Sequence, residues 1–293
     1  MLELTNGLSL QIWTIVPAVN FDAVATNGYA WFVGKGPPDW SNTNNAGGPL
    51  CYRKLQWQGT NAVRGDTNWT VLSNTVPTYQ NYFDLDGTNI TVLATNGVFA
   101  PDPGNSIAVP LYVTSSRMMS AVIRNGSLWT SQTVGLKGTN GTYSGGSSFT
   151  NVDRTAIQWL QFQVNTNSGS LSFTNYGRIY DTATNHSMYY YLPSLMVNGN
   201  GDMLTGFNGS SVGNYIGAYY NWRLANGAML SQPGLIQAGS TNWDDPLQWG
   251  DYSATALDPT DELSFWTVQA YPDALQHRSQ PWATGVGKIL PHP

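Results

Sequence analysis

The sequence predicts an all-β fold, a β-propeller of about five blades spanning residues 1–293 as one domain. Three observations predict it: a composition that starves helices, a hairpin theme that recurs along the chain, and extended segments between the hairpins. Only two glutamates, Glu3 and Glu262, occur in 293 residues, and charged residues make up 10%. Aromatic residues reach 13%, with 12 Trp and 16 Tyr. Strong helix formers are scarce, and the residues that fill a pleated, half-buried surface are abundant. That many large aromatics belong to a packed core and not to a disordered chain. The 31 glycines and the many asparagines supply the positive-φ positions that tight hairpins need.

The hairpin theme is an alternating strand, an Asn-Gly or Asp-Gly turn, and a second alternating strand. It runs first through Phe21-Asp22-Ala23-Val24-Ala25, Thr26-Asn27-Gly28 and Tyr29-Ala30-Trp31-Phe32-Val33. It returns at Tyr82-Phe83-Asp84-Leu85, Asp86-Gly87-Thr88-Asn89 and Ile90-Thr91-Val92-Leu93. The third copy joins residues 120–123 to Ser127-Leu128-Trp129-Thr130 through Asn125-Gly126. The fourth joins residues 193–197 to residues 202–207 through Asn198-Gly199-Asn200-Gly201. The fifth joins residues 249–255 to residues 263–268 through Asp258-Pro259-Thr260-Asp261. Residues 50–57, 106–114, 156–164, 216–222 and 282–289 read as further strands, so each unit is a hairpin with one or two outer strands. The starts near 22, 84, 121, 193 and 251 are uneven, on the scale of the roughly 40–50 residues of a four-stranded blade. A jelly roll or sandwich would not repeat one theme five times. The N-terminal segment 8–16 is the candidate strand to close the ring onto the last blade, and the Gly-rich segment 138–148 is a surface loop.

Several function classes are disfavoured. The net charge is −5 and the 12 basic residues are scattered, which does not suit nucleic acid. No segment approaches the about 20 apolar residues of a membrane span. Cys51 is the single cysteine, so no internal disulfide forms, and it reads as a small buried residue. His186, His277 and His292 lack the spacing of a zinc site. The composition suits an exported protein, and no basic and apolar leader opens the chain, so a secreted, monomeric protein with its signal removed is expected.

Two blocks carry a family resemblance. One is Pro193-Ser194-Leu195-Met196-Val197-Asn198-Gly199-Asn200-Gly201-Asp202-Met203, with Gly206-Phe207 and Ser210-Ser211. The other is Trp249-Gly250-Asp251-Tyr252-Ser253-Ala254-Thr255, Asp258-Pro259-Thr260-Asp261, Phe265-Trp266-Thr267, Gln269 and Tyr271. Both resemble uncharacterised secreted bacterial β-propeller proteins. The resemblance covers roughly residues 80–290, implies the fold and an extracellular location, and supplies no catalytic residues.

Candidate chemistry comes from position within the repeats. Asp22, Asp84 and Asp251 stand early in the first strand of three units, and in a propeller those starts would converge at one mouth of the funnel. Two or three carboxylates at such a mouth are what glycoside hydrolysis needs, one as acid and one as base or nucleophile. The competing reading is that each Asp bonds to backbone amides nearby. Arg154 and Arg223 are candidates to orient a substrate, against a role in stapling blades together. Trp249 and Tyr252 are candidate sugar-stacking aromatics, and Ser194 holds in its repeat the place the aspartates hold in theirs. Asp258, Asp261 and Glu262 gather three carboxylates in one turn, which calcium would suit but a solvated turn with Pro at its second position explains better. No organic cofactor is expected. The leading expectation is an extracellular propeller whose polar funnel mouth takes a glycan or similar polar ligand, with glycoside-hydrolase-like chemistry. A non-catalytic binding or scaffold module and a calcium-dependent lactonase- or phosphotriesterase-type hydrolase are the alternatives.

Overall fold

The computed structural model describes residues 14–23, 28–35, 50–58, 62–65, 69–72, 102–103, 117–136, 154–243, 249–250, 253–276 and 281–291. Among these the fold is all-β, with no helix, and the strands form four sheets. The first sheet contains β1 (Thr14–Pro17), β3 (Tyr29–Lys35), β4 (Leu50–Gln58), β5 (Ala62–Gly65) and β6 (Thr70–Val71). The second is an antiparallel meander of β7 (Met118–Arg124), β8 (Ser127–Leu136), β9 (Arg154–Asn165) and β10 (Ser170–Ile179). Its inner edge is extended by β2 (Val19–Asn20), which pairs parallel to β7. The third meander is β11 (Tyr189–Val197), β12 (Met203–Ser211), β13 (Asn214–Arg223) and β14 (Gly234–Gln237). The fourth is β15 (Ala254–Leu257), β16 (Phe265–Pro272) and β17 (Trp282–Ile289).

The sheets pack face to face in chain order. Trp31, Val33, Leu50 and Tyr52 of the first sheet share a core with Ile123, Leu128, Leu160 and Phe162 of the second. Val122, Trp129 and Trp159 of the second share another with Leu195, Val197 and Met203 of the third, which continues to Phe265 and Ile289 of the fourth. Strands between two sheets are buried on both faces, so β8, β11 and β12 run as nearly continuous buried segments. Among the described residues the fourth sheet is covered on one face only. Along β17 the alternate residues Trp282, Val286 and Leu290, the last just past the strand, are exposed.

Three inner hairpins match expectation: β7–β8, β11–β12 and β15–β16. Asn125 and Gly126 hold φ of 53° and 71°, the left-handed pair that twists with its flanking strands. The three turns meet at one end of the molecule. The Asn125 side chain donates to the Gly199 carbonyl at 3.0 Å, Asn198 to the Leu263 carbonyl at 3.1 Å, and Arg124 pairs with Glu262 at 3.2 Å.

The N-terminal region departs from expectation. Residues 21–23 form no strand: Asp22 is a bend, and β3 pairs with β1 instead. The Asn20 side chain accepts the Asp22 amide at 2.9 Å, an Asx turn that takes the chain out of the ladder. The segment meant to close the ring onto the last unit pairs elsewhere in its described part, Thr14↔Lys35 through Pro17↔Phe32 in the first sheet. The hairpin at 82–93, the strand at 106–114 and the loop at 138–148 lie outside the described residues.

Candidate functional site

Of the eight residues singled out from sequence, Asp84, Asp251 and Tyr252 lie outside the described residues. Asp22 is at the turn end. Its two carboxylate oxygens accept the backbone N–H groups of Asn125 and Gly126, each at 2.7 Å, so it holds the β7–β8 turn in place. It does not stand at the start of an inner strand, because the bend at residues 21–23 replaces the expected hairpin. Arg154 is buried at the start of β9 and donates to the carbonyls of Asp181 (2.6 Å) and Ala183 (2.9 Å). Ser194 faces the fourth sheet. Its hydroxyl is 2.7 Å from that of Thr255 and accepts from Gln269 at 3.2 Å. Trp249 is buried, donates to Asn208 at 3.3 Å, and meets Trp243 edge to face at 5.0 Å.

Arg223 is different. It ends β13 on the face turned to the second sheet, and its guanidinium lies over the rings of Trp129 and Trp159, 5.7 Å and 5.2 Å from their centroids. The two indoles are neighbours on β8 and β9, 5.9 Å apart. Strand period and register place Thr205 and Asn221 on the same face as Arg223: Met203↔Arg223 and Thr205↔Asn221 are successive pairs on that side. Four polar atoms of this group are buried and without a hydrogen-bond partner: Trp129 Nε1, Trp159 Nε1, Thr205 Oγ1 and Asn221 Oδ1. Buried polar atoms are nearly always paired, so these four stand out, as do those of Gln132 and Gln158, a cross-strand pair on the opposite face of the second sheet. Arg223 connects this interior to the surface. It is half-buried, and residues 225–228 beyond it are exposed. Burial lowers its pKa, a sign that the cation is incompletely solvated.

Arg154 and Arg223 therefore do not converge. Arg154 precedes Trp159 by five residues on β9, about 16 Å along a strand, and an odd spacing puts it on the opposite face. Trp129 is legible in the sequence as an aromatic beside the Asn125-Gly126 turn, whereas Trp159 falls within the outer strand read at residues 156–164. Thr205 and Asn221 leave one weak signal, a polar residue at an inward position, as in Met203-Leu204-Thr205-Gly206-Phe207.

The carboxylates of the 258–262 turn are each engaged by protein groups. Asp258 accepts from Thr260 and Trp266 and pairs with Lys288 at 2.6 Å, and the Lys288 ammonium holds its carboxyl well below the usual range. Asp261 accepts both the hydroxyl and the amide of Ser264 and the amide of Leu263, which lower its pKa too. Glu262 pairs with Arg124. Among the described residues no three His, Cys, Asp or Glu side chains gather as metal ligands would. Burial pushes the Cys51 thiol up to about 12, which keeps it protonated and unreactive. No helix among the described residues is long and apolar enough to cross a membrane.

No family model matches the sequence, and no curated protein matches it. Among solved structures, the chain is similar to Bacillus subtilis levansucrase in complex with oligosaccharides, at 11% identity and a TM-score of 0.37, covering 100% of this chain and 87% of that one. It is also similar to the α-L-arabinofuranosidase of Fusarium graminearum in complex with an iminosugar inhibitor, at 8% identity and a TM-score of 0.27, covering 95% and 93%. Likeness at this level carries no information on substrate or chemistry.

Proposed function

We propose that the protein is an extracellular β-propeller that binds a glycan at the Arg223 site. Successive antiparallel meanders, stacked face to face in chain order, support the propeller. The observation that carries the binding function is the set of four unpaired buried polar atoms around a guanidinium laid over two indoles. The guanidinium covers the ring faces, the indole N–H groups are buried beneath it, and the Nε1 side of Trp159 packs against Gly177. The half-exposed guanidinium donates toward solvent, and the Thr205 hydroxyl and Asn221 carbonyl on the same face both give and accept hydrogen bonds, as the hydroxyls of a saccharide do. Binding is tested by calorimetry and a glycan array with the wild-type protein. Micromolar to millimolar binding of at least one saccharide, weakened by Arg223→Gln, is the expected result. No binding to any saccharide would discard this function.

A second reading, glycoside hydrolysis, is favoured by one sequence observation: Asp84 and Asp251 hold the same place in two hairpin units. Hydrolysis needs a pair of carboxylates, and the Arg223 group contains none. The assay is turnover of a panel of glycosides by Asp84→Asn and Asp251→Asn. Loss of turnover in both supports hydrolysis, and unchanged turnover in both removes it.

A further inference from the structure

The proposed glycan site has an imbalance that points to the kind of glycan. We infer that the saccharide taken at Arg223 carries a carboxylate, an inference that rests on the glycan-binding function proposed above.

The first support is the state of Arg223. Among the described residues its guanidinium makes one hydrogen bond, Nη1 to the Leu224 carbonyl at 3.2 Å, and no ion pair. The acids at the same end of the molecule are engaged elsewhere. Asp22 takes the amides of Asn125 and Gly126. Asp202 takes the Ala225 amide and the Asn198 side chain. Asp258 takes Lys288, and Glu262 takes Arg124. A half-buried cation without a counter-charge is costly, and an anion arriving with the ligand offsets that cost. A guanidinium with a free edge meets a carboxylate in the planar, two-bonded way that lysine cannot copy.

The second support is the count of donors and acceptors. The guanidinium only donates and uses one N–H, on the Leu224 carbonyl, whereas Asn221 Oδ1 on the same face only accepts. The Thr205 hydroxyl does either. Hydroxyls on a neutral sugar would balance donors and acceptors. A carboxylate only accepts, so it absorbs the donor excess and leaves Asn221 and Thr205 for sugar hydroxyls.

The experiment is a glycan array carrying uronate- and sialate-terminated saccharides beside their methyl esters and neutral counterparts, followed by calorimetry on the best pair. Wild-type protein should prefer the acid over its methyl ester by on the order of tenfold or more. Added salt should weaken the acid and leave the ester unchanged. Arg223→Gln should erase the preference, and Arg223→Lys should retain only part of it. Melting temperatures of both variants establish that the fold persists, and the lysine variant keeps the charge if the glutamine variant is unstable. Equal binding of acid and ester, or a preference that survives Arg223→Gln, overturns the carboxylate inference and leaves glycan binding standing. Binding confined to neutral saccharides does the same. Absence of any saccharide binding overturns both.

Discussion

The third sheet has a polar group on each of its faces, and the two faces treat those groups in opposite ways. Toward the fourth sheet the groups are paired. Ser194 and Thr255 hydroxyls lie 2.7 Å apart, Thr255 and Thr267 3.1 Å, and Gln269 donates to Ser194 and Thr267 at 3.2 Å and 3.1 Å. One atom there, Gln269 Oε1, is left over. Toward the second sheet Trp129, Trp159, Thr205 and Asn221 each leave an atom unpaired, beside a cation with no acid partner among the described residues. Adjacent residues of β12 divide between the two, Thr205 turned one way and Gly206 the other. Burial alone therefore does not separate structure from function in this fold. Hydrogen bonding does distinguish the two faces: the paired side holds the third and fourth sheets together, and the unpaired side is the one proposed to bind a saccharide.

The sharpest way to break the paired side is steric. A Cβ on Gly206 would collide with Thr267 Oγ1 and Gln269 Nε2, at the centre of the network. Gly206→Ala should cost about 3 kcal/mol, the upper range for overpacking a buried site, read as a lowered urea midpoint. Unchanged stability would show that the third and fourth sheets are not locked at this point. Removing chemistry and keeping shape should cost less. Thr255→Val deletes the hydroxyl that joins Ser194 to Thr267 and leaves partners stranded, for a loss of about 2 kcal/mol. A loss well under that would mean the network is loosely held. Neither change should alter saccharide affinity, because both act on the face of β12 turned away from Arg223.

Much of the paired architecture is legible in the sequence, because it is local. Asn125-Gly126, Asn198 through Gly201 and Asp258 through Asp261 announce turns by chemistry, and three hairpins stand there. The same signal misleads at Asn27-Gly28, because the Asn20 side chain and the pull of the 125–126 amides on Asp22 take residues 21–23 out of the sheet. Strand β10 is not marked out by its pattern. A register shift between Phe173 and Asn175 breaks the alternation that would reveal it. The Arg223 group is assembled from four strands of two sheets, residues 129, 159, 205, 221 and 223. No local window holds it, so Arg223 can be suspected from sequence and its surroundings cannot.

The smallest expected effect on stability is the most telling for the unpaired side. Thr205→Val swaps a hydroxyl for a methyl of nearly the same shape. Where the hydroxyl is bonded, as in Thr255, that swap destabilises. At Thr205 the Oγ1 atom is buried and unbonded, so the folded protein already bears the cost of desolvating it. The substitution should therefore change stability by no more than about 0.5 kcal/mol, and any gain would be in the direction of greater stability. Binding should move the other way. If Thr205 meets a saccharide hydroxyl, the valine variant loses roughly fivefold to tenfold in affinity, the value of one ordinary hydrogen bond. A protein that is equally stable and binds less tightly separates the two faces of β12 in one residue type. A loss of stability comparable to Thr255→Val would instead show that Thr205 is a structural hydroxyl, and the contrast between the faces would collapse.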